Sequence, residues 1–252
     1  MLKKPLIAGN WKLNKTPQEA QSFFKELLDK SEAKTIPHLA FFPPAIDLFV
    51  AKEMLPSNAY WGGQNIYSEL SGAFTGENSI ESLKDLGANM CLVGHSERRT
   101  LFNETDDSIA KKVRLIQELD IIPIICVGES LVQRESNKTQ AVICDQVEKA
   151  LKQIDIKKEF VIAYEPVWAI GTGKVATPDM AEEAHGFIKE KLEKVTSKDV
   201  ADKALILYGG SVKPENAAEL YSKPSVDGFL VGGASLKVDS FLGIFENTQI
   251  VN

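Results

Sequence analysis

Eight short apolar runs recur along the chain, separated by amphipathic helical patterns, and this alternation constrains the fold more than any other feature. The runs are Leu6 to Gly9, Leu39 to Phe42, Ala59 to Gly63, Met90 to Val93, Ile121 to Val127, Phe160 to Tyr164, Ala204 to Tyr208 and Phe229 to Val231. Continuous apolar runs of strand length belong to parallel strands buried on both faces. Between them, Met180, Ala184, Phe187, Ile188, Leu192 and Val195 repeat at helical spacing, as do Ile143, Val147, Ala150, Leu151 and Ile154. Thr16-Pro17-Gln18-Glu19 supplies an N-cap, a first-turn proline and a capping-box glutamate ahead of Phe23, Phe24, Leu27 and Leu28. Eight strand–helix units within 252 residues predict an α/β fold, a closed (β/α)8 barrel of parallel strands surrounded by helices. An open doubly wound sheet fits less well, because no Gly-rich dinucleotide fingerprint follows Gly9. With no linker, residue-level repeat or low-complexity stretch, residues 1–252 are expected to form one barrel domain.

A net charge of −6 argues against nucleic acid or an anionic membrane as the main partner, so any anion site has to be a focused one. No apolar run approaches the length of a membrane span, and Met1 to Gly9 is too short in apolar residues for a secretory signal. The cytoplasm is the expected compartment. Cys91, Cys126 and Cys144 are odd in number and widely spaced, which suggests neither a disulfide framework nor a zinc site.

In a barrel of this kind, chemistry gathers at the carboxyl ends of the strands. The residues there are Asn10 and Lys12 after the first run, His95 and Glu97 after the fourth, and Glu165 after the sixth. Ser211 follows the seventh and Gly232-Gly233 the eighth. Pro166 disfavours helical geometry at Glu165, so that carboxylate is expected to project from its strand as a base. The segment Val167 to Lys174 reads as a mobile lid, with Gly171 and Gly173 permitting movement or close approach to a ligand. Trp168 and Ile170 are costly to leave in water, which favours that reading. Thr177-Pro178-Asp179 then opens a helix. His38 and His185, each without such company, read as structural histidines.

Five segments together resemble the triosephosphate isomerase family, in its order and over essentially the whole chain. They are Ala8-Gly9-Asn10-Trp11-Lys12-Leu13-Asn14, Gly94-His95-Ser96-Glu97-Arg98-Arg99, Ala163 to Gly173, Tyr208-Gly209-Gly210-Ser211-Val212 and Val231 to Leu236. Leu13 stands where the family commonly has methionine. The resemblance implies a TIM barrel of glycolysis and gluconeogenesis, interconverting dihydroxyacetone phosphate and glyceraldehyde 3-phosphate through an enediolate. It implies Glu165 as the carbon base and His95 as a neutral imidazole that polarises the carbonyl, a division of roles that is a known property of that family. A short helix opening at His95 would lower the imidazole's proton affinity, and a desolvated pocket would make Glu165 more basic. Lys12 would meet the phosphate and the developing oxyanion, Asn10 would donate to the same oxygen, and Glu97 would pair with Lys12. Backbone amides of Gly171, Ser211, Gly232 and Gly233 would hold the phosphate. No cofactor and no metal is needed for these proton transfers.

The long connection Asn65 to Asn78 carries Gly72 to Glu77, which resembles the family's intersubunit loop and predicts a homodimer with each loop docked near Asn14 and His95 of its neighbour. A noncatalytic barrel that keeps only the phosphosugar grip is the competing reading, and another phosphosugar isomerase on the same scaffold is a third.

Overall fold

Each apolar run lies in a strand of one closed sheet in the computed structural model, which describes residues 2–170 and 176–251. The strands are β1 (Leu6–Asn10), β2 (Leu39–Phe42), β3 (Tyr60–Gly63), β4 (Met90–Val93), β5 (Ile122–Val127), β6 (Val161–Tyr164), β7 (Leu205–Tyr208) and β8 (Gly228–Val231). They pair in sequence order, all parallel, and β8 closes onto β1 through Leu6 opposite Gly228 and Gly9 opposite Val231. Ala59, Ile121 and Ala204 fall just outside the strands, their amides closing the preceding turns on the Pro56, Ile116 and Val200 carbonyls, and Phe160 falls just ahead of β6.

The helices are α1 (Pro17–Lys30), α2 (Leu48–Met54), α3 (Ile80–Leu86), α4 (Ser96–Leu101), α5 (Asp106–Glu118), α6 (Leu131–Glu135), α7 (Thr139–Ala150), α8 (Pro178–Val195), α9 (Lys198–Lys203), α10 (Pro214–Tyr221) and α11 (Val238–Thr248). The Thr16–Glu19 capping box starts α1, and the Thr177 hydroxyl accepts the Met180 amide at 3.2 Å to start α8 with Pro178 in its first turn. None of the described helices is long and apolar enough to cross a membrane.

Alternation along the strands divides the core into two layers. Leu6, Ala8, Phe42, Met90, Leu92, Val161, Ala163, Leu205, Leu207 and Leu230 fill the barrel interior. Ile7, Phe41, Cys91, Ile162 and Ile206 point outward into the layer shared with the helices. Successive side chains alternate across a strand, so the inward set fixes which residue reaches the mouth next. Asn10 continues Leu6 and Ala8, Glu165 continues Val161 and Ala163, and Gly209 continues Leu205 and Leu207.

The two histidines outside the mouth are tied to backbone. His38 lies 2.9 Å from the Pro5 carbonyl and His185 2.8 Å from that of Ser225, each through Nδ1, consistent with structural roles. Cys91 and Cys126 are buried, and burial pushes the Cys91 thiol up to about 12, so it packs as a small apolar side chain.

Candidate active site

Glu165 is 2% exposed at the end of β6, and its room is made by missing side chains. A Cβ on Gly128 would sit 1.8 Å from the Glu165 carbonyl oxygen, and one on Gly209 would sit 3.1 Å from Glu165 Cγ. The carboxylate is held at both oxygens. Oε2 accepts the Ser96 amide at 2.9 Å, and Oε1 lies 2.8 Å from His95 Nε2.

His95 reaches this position by a break in strand phase. The inward set of β4 is Met90 and Leu92, which would turn Gly94 inward and His95 away. Gly94 adopts φ +73, a conformation costly to a side chain, and redirects the chain so that His95 faces the mouth. His95 then caps α4: the Glu97 amide donates to Nδ1 at 3.2 Å. With Nδ1 accepting, the neutral ring carries its proton on Nε2, aimed at Glu165.

The pair's proton affinities run opposite to the sequence expectation. Burial favours the neutral form of each group, and their mutual contact outweighs it. His95 is therefore held above its ordinary value by the Glu165 carboxylate. Glu165 is held below the usual carboxylate range by His95 and the Ser96 amide. Parting them would remove from each the contact that outweighs burial, while the Ser96 amide and Lys12 still act to lower Glu165.

Lys12 stands two residues past β1 in the left-handed region at φ +53, a conformation that costs a lysine on the order of 1–3 kcal/mol. Its amide donates to Asn10 Oδ1 at 3.1 Å, and its carbonyl accepts Gln64 Nε2 at 2.8 Å, a nitrogen that also bonds the Phe42 carbonyl at 2.9 Å. Asn10 and Gln64 thereby fix the backbone of Lys12, whose ammonium lies 2.6 Å from Glu97 Oε1 and about 4.0 Å from where a Gly232 Cβ would be.

The Gly232 carbonyl is taken by the Ser235 amide at 2.8 Å and hydroxyl at 2.7 Å, which turns it into the short helical turn Gly233–Leu236. Across the same planar peptide, the Gly233 N–H faces the opposite way. Asn216 likewise takes the Ser211 carbonyl at 3.1 Å. Asn10, Lys12, His95, Glu97, Glu165, Ser211, Gly232 and Gly233 all line one cavity of about 910 Å³. Gly171, assigned to the same grip, lies outside the described residues, as do Thr172, Gly173 and Lys174 of the expected lid.

Several residues here escaped the sequence reading. Glu129, fully buried after β5, accepts Tyr164 Oη at 3.1 Å, Trp168 Nε1 at 2.9 Å and Arg134 Nη1 at 3.1 Å through one oxygen. Trp168 is consequently buried against the body of the protein, stacked under Arg134 with 4.9 Å between guanidinium and ring, instead of roofing the mouth. Ile170 does line the cavity. A carboxylate at the carboxyl end of β5 was the available signal for Glu129; Ser96 lies in a quoted family segment and Gln64 beside the long connection, but nothing in either position pointed to Glu165 or Lys12.

A barrel whose carboxyl mouth joins a buried carboxylate–imidazole pair to an ammonium and glycine-rich turns belongs to the class built for acid–base chemistry on a small anion. Comparison with known proteins narrows the class. The family description "Triosephosphate isomerase" matches residues 5–248. The triosephosphate isomerase of Carboxydothermus hydrogenoformans is 49% identical over 250 residues, covering 98% of this chain and 100% of that one. Those of Finegoldia magna (47% over 243 residues, covering 95% and 97%) and Rhodopirellula baltica (45% over 249, covering 98% of each) are similar as well. The chain belongs to the triosephosphate isomerase family.

Proposed function

We propose that this chain interconverts dihydroxyacetone phosphate and D-glyceraldehyde 3-phosphate by moving one proton between adjacent carbons. The observation that carries the reading is the 2.8 Å approach of Glu165 Oε1 to His95 Nε2 at the floor of a cavity that also holds Lys12. Substrate entering between them would offer its carbonyl oxygen to the Nε2 proton, which frees the carboxylate to take a proton from the neighbouring carbon. The C–H electrons become the enediolate, and the charge gathers on oxygen near His95, Asn10 and Lys12. His95 then moves a proton between the two oxygens, and Glu165 returns its proton to the other carbon. Ser211, Gly232 and Gly233 hold the phosphate in this reading, and Gly171 is added on resemblance alone. Glu97 steadies Lys12. The test is turnover of glyceraldehyde 3-phosphate by the purified chain with no metal or cofactor added; a noncatalytic phosphosugar-binding barrel would bind and not turn over.

The pH profile offers a second check. His95 is one of the contacts that hold Glu165 low, while burial works to raise it. In His95→Gln the residual kcat/KM should therefore lose activity at a higher pH on its acid side than the parent. An acid limb that stays put would mean that His95 does not set the base.

The reading extends to assembly: one barrel domain per chain, acting in the cytoplasm as a homodimer. Leu13 is 96% exposed beside the mouth, and Phe74 is 39% exposed on its loop, 4.3 Å from the Tyr67 ring. Apolar surface of this kind suits a second copy of the same chain. Lys112 anchors the start of that loop through Asn65 Oδ1 at 2.9 Å. Replacing Phe74 and Thr75 with glutamate should give monomers of low activity by sedimentation and assay. A fully active monomer would sink the assignment.

A further inference from the structure

The substrate of the proposed reaction is a phosphate dianion and the protein carries a net charge of −6, so attraction has to be local. Within the cavity Lys12 is already paired with Glu97 at 2.6 Å, and Glu165 is hydrogen-bonded by His95 at 2.8 Å. Further out, Lys213 and Lys237 line the same cavity with exposed side chains. Among the described residues neither ammonium has a carboxylate within ion-pair distance. Of the outer acids, Asp239 is occupied by Lys30 at 2.5 Å, which leaves Glu215 against the two lysines.

Their placement is rigid. Lys213 lies two residues past Ser211 and immediately before α10, and Lys237 directly follows the Gly233–Leu236 turn and precedes α11. Asn247 on α11 ties the two segments by donating to the Pro214 carbonyl at 3.1 Å and to the Gly243 carbonyl at 2.9 Å. A Cβ on Gly243 would stand 3.4 Å from the Pro214 ring, so the helices close tightly there. Each lysine thus sits one step outward from a turn assigned to the phosphate.

We propose that Lys213 and Lys237 form an outer capture pair that draws the phosphate of the triose substrate to the cavity and hands it inward to Lys12 and the glycine turns. The proposal rests on the isomerase reading above. An exposed cation pair acts over roughly 10 Å at 0.1 M salt and fades as ionic strength rises, whereas the buried contacts are screened much less.

The test compares K213Q/K237Q with the parent, using glyceraldehyde 3-phosphate and its uncharged counterpart, D-glyceraldehyde, across ionic strength. At low salt the variant should lose about three- to tenfold in kcat/KM for the phosphorylated substrate. The loss should shrink towards none at high salt, with kcat close to the parent's. Turnover of D-glyceraldehyde should be the same in both, and K213R/K237R should restore the parent's salt dependence. Equal salt dependence in parent and K213Q/K237Q, or an equal loss on the uncharged substrate, would overturn the proposal. If the parent turned over neither substrate, the isomerase reading would fall. Inorganic phosphate titrated calorimetrically at two ionic strengths would still judge the pair: a parent affinity more salt-sensitive than the variant's supports it, and equal sensitivity overturns it.

Discussion

Replacing Glu165 with glutamine is expected to lower kcat about a thousandfold, within the range a positioned proton-transfer group contributes. Glutamine can still accept the Ser96 amide that now reaches Oε2 at 2.9 Å, and it fits the space that Gly128 and Gly209 leave open. Folding should be intact and the loss chemical. Glu165→Asp tests position separately from chemistry. The shorter carboxylate is withdrawn by one methylene while β6, pinned through the Glu165 amide to the Val127 carbonyl at 2.7 Å, cannot follow it. Misplacement on that scale costs on the order of a hundredfold. Both losses should sit in kcat, because the carbon proton is in transit only in the transition state. A rise in KM with kcat intact would make Glu165 a binding residue.

The barrel was legible because its signal is local: each strand announces itself as a short apolar run, and alternation with helical spacing leaves few architectures. Part of the mouth was legible by position, since Asn10 and Glu165 directly follow their apolar runs, and strand phase in the structure carries both inward from Ala8 and Ala163. Phase alone would misplace His95, and the φ of Gly94 that corrects it is a backbone property no periodicity displays. Contacts between distant segments were not legible. Gln64 meets Lys12 across 52 residues of sequence, and Ser96 meets Glu165 across 69. Both depend on the curvature of a closed barrel bringing the ends of different strands together. Trp168 shows the same limit from the other side: its hydrophobic cost was read correctly, but the carboxylate that receives its N–H lies 39 residues earlier.

Lys12→Gln is expected to cost about a hundred- to a thousandfold in kcat/KM, the scale on which one preorganised stabiliser of a developing oxyanion is felt. The structure invests in this ammonium. A lysine at φ +53 is strained, and it is kept there by Asn10 on its amide and Gln64 on its carbonyl. Its ion pair with Glu97 keeps the ammonium beside Gly232. Removing the cation leaves Glu97 facing the substrate's phosphate unneutralised, so binding and chemistry should weaken together, with KM rising as kcat falls. Glu97→Gln keeps the cation and loses only its anchor, and should cost far less. Together these two variants separate charge from positioning. If K12Q and E97Q were equally impaired, Lys12 would matter mainly through the pair it makes; if K12Q kept the parent's kcat and KM, the oxyanion would have to be stabilised by His95 and Asn10 alone.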